Sequence, residues 1–217
     1  SRRQRQMCIR DSPCFVIDKK ALRSNLNVLQ RLKVDTNVKI LIALKAFSNL
    51  ALAPLISKYL DGCCSSGLYE TRLAAKYFQG EVSTFSPAFK SSEFEEIAGI
   101  SNHIIFNSLN QFNNFHSVAK KFNKEVGIRV NPLYSEITNP KYDSANIYSR
   151  LGIHINDLNK IDLDEIDGVH FHTLCEQNFQ PLQNTWDQIK KTIIPISKKL
   201  KWINLGGGHH ITREDYE

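Results

Sequence analysis

The chain has 217 residues, 41% hydrophobic and 23% charged, the proportions of an ordinary globular protein rather than a disordered or fibrous one. Half of its formal net charge of +6 sits in the opening, where Arg2, Arg3, Arg5 and Arg10 face only Asp11, and the rest is spread too thinly for a nucleic-acid footprint. No apolar run approaches the ~18 residues of a membrane span, so neither nucleic acid nor membrane is an expected partner.

The opening stretch SRRQRQMCIRDS, residues 1–12, has no hydrophobic period and is not followed by an apolar signal core. It looks like translated adapter sequence and reads as a non-native or disordered leader, so fold reasoning starts at residue 13. The five cysteines are Cys8, Cys14, Cys63, Cys64 and Cys175. An odd count, an adjacent pair and no C-x-x-C spacing argue against a disulfide framework or a metal site. They read as reduced thiols of a cytoplasmic protein.

Strand-like runs then begin near residues 39 (KILIALKA), 61 (DGCCSS), 81 (EVSTFSP), 103 (HIIFNS) and 125 (EVGIRVNP), and later near 168 (GVHFHTL) and 201 (KWINLGGG). Helical patterns lie between them. NLALAPLISKYL spaces Leu52, Leu55, Ile56 and Tyr59 at helical intervals, and LYETRLAAKYF does the same with Leu68, Arg72, Ala75 and Phe78. SSEFEEIAGI opens with a serine cap and early glutamates. NTWDQIKKTIIPISKKL is amphipathic, with a kink expected at Pro195. The first five strand starts lie about 20 to 22 residues apart, with two wider gaps later, and strand and helix alternating at that pitch predict βα units and a parallel sheet. The near-even pitch, and the lack of a G-x-G-x-x-G in the first βα turn, favour a (β/α)8 barrel over an open doubly wound sheet. Seven strands are countable, so the expected architecture is an α/β TIM-like barrel cut short after about seven strands. A long segment rich in Asn, Pro, Ser and Tyr follows the fifth strand, where active-site loops grow.

In such a barrel the C-terminal strand ends share one site. They hold Lys45; Cys64, Ser65 and Ser66; Ser86; Asn107; Arg129 and Asn131; His170, His172 and Glu176; Asn204, Gly206, Gly207, Gly208, His209 and His210. Lys45 ends a dry strand, and a buried ammonium is costly, so it either reaches water or is wanted as an amine. In a dry barrel mouth it becomes a nucleophile for aldehydes. The Gly206–Gly208 run closes an apolar strand before a helix-like ITREDYE, which is either a flexible turn or a phosphate seat. Arg129 in GIRVNP is either a structural ion pair or a partner for an anion or a ring. His170 and His172 share one face of their strand. An amine opposite a phosphate seat fits pyridoxal phosphate, with an aldolase lysine as the competing reading.

The ordered set ALKAF, SSGLYE, FNS, IRVNP, SRLG, HFHTLCEQ and NLGGGHHIT resembles the carboxynorspermidine/carboxyspermidine decarboxylases, of the alanine racemase/ornithine decarboxylase fold. The resemblance runs from about Pro13 to Glu217 and implies pyridoxal 5'-phosphate. It implies that Lys45 carries the cofactor covalently, that His172 stacks on its ring, and that Gly206, Gly207 and Gly208 hold its phosphate. Arg129 would lie near it, and Cys175, Glu176, Gln177 and His209 would face phosphate or substrate. The implied reaction releases carbon dioxide from carboxynorspermidine or carboxyspermidine to give norspermidine or spermidine. Members of this family are about twice as long, with an eighth strand, a C-terminal β-domain and a homodimer that shares each site. The chain is therefore expected to be an N-terminal fragment, inactive by itself. The other readings are a diaminopimelate, ornithine or arginine decarboxylase of the same fold, or a non-catalytic barrel that carries the cofactor.

Overall fold

The structure, a computed structural model, describes residues 15–216. The leader at 1–12 and the thiols Cys8 and Cys14 lie outside the described residues.

A helix that the strand rhythm did not announce comes first. Helix α1, Lys19–Thr36, begins where the Asp18 carboxylate accepts from the Lys20 and Ala21 N–H groups (2.7 and 3.2 Å). It ends at Asn37, which takes the left-handed conformation favoured there (φ 57°). Leu22, Leu26 and Leu29 recur at helical spacing and pack against Leu52, Ile56 and Leu60.

All seven expected strands form, and every pairing is parallel: β1 Leu41–Ala43, β2 Gly62–Ser65, β3 Glu81–Phe85, β4 His103–Phe106, β5 Glu125–Asn131, β7 Gly168–His170 and β8 Trp202–Asn204. A two-residue strand, β6 Ile153–His154, pairs only with the end of β5. The sheet runs β1-β2-β3-β4-β5-β7-β8 in chain order, so the architecture is the expected barrel, open between β1 and β8 among the described residues. Helices α2 Ala53–Ile56, α3 Leu68–Tyr77, α4 Ser91–Ile100, α5 Leu109–Lys121 and α6 Phe179–Ile196 supply the crossovers. Their apolar faces cover the strands: Phe94, Ala98, Ala119, Ile189 and Ile193 pack with Ile104, Phe106, Val126, Ile128 and Val169.

Two local expectations are corrected and a third is placed. Ser91 is the first residue of α4 rather than its cap; Lys90 holds the cap position and its ammonium pairs with Glu93 (3.0 Å). Pro195 lies inside the last turn of α6, and the chain passes directly into a 3-10 turn at Ser197–Lys199. NLALAPLISKYL gives a 3-10 turn and only four α-helical residues, with Pro54 in the first turn.

The N-terminal end of the barrel is floored by Trp202. Its indole lies over β5 and β7 where a Cβ on Gly127 or Gly168 would enter the ring. Its Nε1–H donates to Glu125 (3.0 Å), and His103 stacks on it at 5.3 Å while meeting the same carboxylate at 3.2 Å. Gly168→Ala is expected to cost about 1–3 kcal/mol by overpacking. Urea unfolding of the variant checks it.

Candidate active site

At the opposite end of the sheet the predicted residues converge. Arg129 on β5, His170 on β7 and Asn204 on β8 are neighbours in register across three strands. His172 follows β7 by two residues, and the glycine run follows β8.

Arg129 is buried (5% exposed), yet among the described residues no carboxylate pairs with it. Its guanidinium lies 4.9 Å from the centre of the Phe85 ring, and one terminal N–H reaches the His172 carbonyl at 3.4 Å. Its Nε has no hydrogen-bond partner. Burial pushes its pKa down to about 10. The structural ion pair considered for this arginine is thus not present among the described residues. A buried cation left with an open donor fits an anionic or electron-rich group.

His172 is fixed at both ends. Its Nδ1 accepts from the Gly207 N–H (3.0 Å), which leaves the proton of the neutral ring on Nε2. Its carbonyl accepts from Ser144 Oγ (2.6 Å) as well as from Arg129. Burial first, then the charges of Lys45, Arg129 and His209, push its pKa down to about 4. His170 is pushed down to about 3 by burial, Arg129 and His172. Both imidazoles are therefore neutral at physiological pH. Unfolded histidines take up protons near pH 6.5, whereas these do so only near 4 and 3, so the unfolded chain binds more protons in that window. Stability is expected to be full above about pH 6.5 and to fall as pH drops toward 3. His172→Gln should flatten this slope in unfolding measurements across pH.

The glycine run is a cradle. Gly206 and Gly208 have positive φ (76° and 94°). A Cβ on Gly206 would lie 2.6 Å from the Phe171 carbonyl and 2.9 Å from His172 Nδ1, and one on Gly208 would strike Leu174. At Gly207 the space is open beside the imidazole. Two expectations change here. The Gly206 and Gly207 amides already donate inside the protein, to Asn204 Oδ1 (2.9 Å) and His172 Nδ1. Residues 211–216 form turns, not a helix, with Arg213 N–H on the His210 carbonyl, so among the described residues no helix dipole faces the cradle from this segment.

Lys45 lies two residues beyond β1, in a turn closed by the Ala46 and Phe47 N–H groups on the Ala43 carbonyl (3.0 and 3.1 Å). It is exposed, so the dry mouth expected around it is absent, because the barrel wall next to β1 stays open among the described residues. Its charge nonetheless acts on His172 and on Cys64, whose thiol burial pushes up to about 11.

Cys175 and Glu176 are exposed, and Glu176 has positive φ (54°). Gln177 bonds both ways with the segment after β8: its N–H donates to the Gly208 carbonyl (3.0 Å), and its carbonyl accepts from the His210 N–H (3.1 Å). His209 bridges to Gln177, and its pKa is lowered by burial. Cys175, Glu176 and Gln177 line an open pocket of about 260 Å³ together with Glu136, Ile137 and Tyr142. The insertion after β5 closes over the site, held by Asn131 on the Asn146 carbonyl (3.0 Å), Asn107 on Arg150 (2.8 Å) and Ser144 on His172. Phe85 and Ser144 were not foreseen. Phe85 carried a weak signal in the alternation of its strand; Ser144 had none.

By fold the chain is similar to a barrel decarboxylase. The solved carboxynorspermidine decarboxylase of Campylobacter jejuni, complexed with norspermidine, superposes with a TM-score of 0.86 at 37% identity, over 96% of this chain and 53% of that one. Sequence narrows the likeness to enzymes of carboxylated polyamines. The chain is 38% identical over 206 residues to the carboxynorspermidine/carboxyspermidine decarboxylase of Campylobacter jejuni, and 34% identical over 206 to the carboxyaminopropylagmatine decarboxylase of a Synechocystis strain. Each match covers 95% of this chain and 53% of the relative, so the chain spans about half the length of the curated relatives it matches. No protein-family model matches it.

Proposed function

We propose that these residues form the cofactor-binding barrel of a pyridoxal phosphate-dependent decarboxylase acting on carboxynorspermidine or carboxyspermidine. The observation that carries the reading is the buried, carboxylate-free Arg129 beside a neutral His172 and a glycine cradle, at the strand ends that Lys45 shares. The substrate class comes from the curated relatives.

Lys45 is the amine that anchors the cofactor's aldehyde. His172, flat, uncharged and held by Gly207, lies against its ring. Gly206 to Gly208 would border the phosphate; since the Gly206 and Gly207 amides are already engaged, the donor toward it would come from Arg129, whose Nε has no partner. Bound there, pyridoxal phosphate supplies an electron sink for the pair left by the departing carboxylate. The chain's own share is orientation and electrostatics. The cationic arm of the substrate extends toward the pocket lined by Glu136, Cys175, Glu176 and Gln177, with His209 behind it. The 217 residues bind cofactor but do not turn over substrate alone; the whole protein works as a homodimer in the cytoplasm, and residues 13–217 are its partial barrel.

The test completes the chain with the second half of the Campylobacter relative and assays carbon dioxide release. Carboxynorspermidine, carboxyspermidine and carboxyaminopropylagmatine are compared with diaminopimelate, ornithine and arginine. Turnover of a carboxylated polyamine is the predicted result. Preference for an amino acid would replace the substrate reading, and cofactor binding without turnover of any would support the carrier barrel instead.

A further inference from the structure

One carboxamide joins the buried histidine of β7 to the glycine cradle. Asn204 Oδ1 accepts from His170 Nδ1 (3.0 Å), which also lies 3.3 Å from the Asn204 carbonyl, and from the Gly206 N–H (2.9 Å), which uses both of the side-chain oxygen's lone pairs. The next amide, Gly207 N–H, holds His172. The chain of contacts therefore runs from His170 through Asn204 and the glycine turn to the His172 imidazole. Gly206 sits in a left-handed conformation, and its N–H direction is set by that single accepted bond. His170 is buried (8% exposed) and faced by Arg129, His172 and the Phe85 ring (5.8 Å).

We propose that Asn204 is a positioning residue: its carboxamide oxygen, oriented by His170, sets the glycine turn that receives an anionic phosphate group. This rests on the cofactor reading above, and the test separates the two. Equilibrium binding is measured with pyridoxal phosphate and with pyridoxal, which lacks the phosphate, on the chain and on two variants. Asn204→Ala is expected to weaken pyridoxal phosphate about tenfold, the effect of losing a buried acceptor, with pyridoxal changed less than about twofold. Asn204→Asp keeps an oxygen for both bonds and is expected to restore binding to within about threefold. Nitrogen NMR of the unaltered chain is expected to show His170 protonated on Nδ1 alone at neutral pH. Equal losses for both ligands, no loss of pyridoxal phosphate, or His170 protonated on Nε2 would each overturn the inference. If the unaltered chain binds neither ligand, the cofactor reading falls and the inference with it.

Discussion

Arg129→Met is expected to make the chain more stable and its site worse. The guanidinium is buried with no carboxylate among the described residues, an unpartnered Nε, one long bond to a carbonyl and a ring face at 4.9 Å. Burial already lowers its pKa to about 10, the mark of a charge the surroundings do not repay. Methionine fills similar volume without that charge, so unfolding free energy should rise by about 1–3 kcal/mol, in line with replacing uncompensated buried ions by apolar groups. The same change removes a buried donor that has no partner among the described residues, so pyridoxal phosphate affinity should fall by about tenfold or more. Urea unfolding and ligand titration on one preparation measure both. A stability loss above about 1 kcal/mol would make Arg129 a structural residue and remove it from the site. The opposite signs are what a site that stores strain for function predicts.

Lys45→Ala is expected to abolish turnover in the completed enzyme, by about a thousandfold or more, because it removes the proposed anchoring nucleophile. It has a second consequence that needs no cofactor. The Lys45 charge helps hold the His172 pKa down to about 4, and opposes the upward push of burial on Cys64. Removing it should raise both groups, and an NMR titration of His172 reads the first. An unmoved His172 would place Lys45 too far from the imidazole for the proposed site.

The barrel was legible because its first five strands are apolar and evenly pitched: residues 126–130 are buried throughout, whereas of residues 40–44 only Leu44 is. Helix α1 was not evident although Leu22, Leu26 and Leu29 have helical spacing, because it precedes the first strand and belongs to no βα repeat. The site residues were legible as types at strand ends, since a lysine, an arginine and paired histidines do not sit in apolar runs by accident. What each of them does there was not. Lys45 was expected to be dry, but dryness belongs to barrel closure and not to its own strand. The Asn204 relay depends on the register of β7 against β8, which brings residues 34 positions apart into contact. Ser144 meets His172 across 28 positions through an insertion with no periodicity. The helix expected after Gly208 failed for a local reason: Gln177 takes the Gly208 carbonyl and the His210 N–H into a strand-like bridge, which holds the chain extended there.

The central claim is that Lys45 is the covalent anchor of a pyridoxal phosphate site. Incubation of the chain with pyridoxal phosphate, borohydride reduction and peptide mass mapping test it most directly. One dominant phosphopyridoxyl adduct is expected, on the peptide that contains Lys45, suppressed in Arg129→Met. Adducts spread evenly over the exposed surface lysines, with none enriched at Lys45, would contradict it.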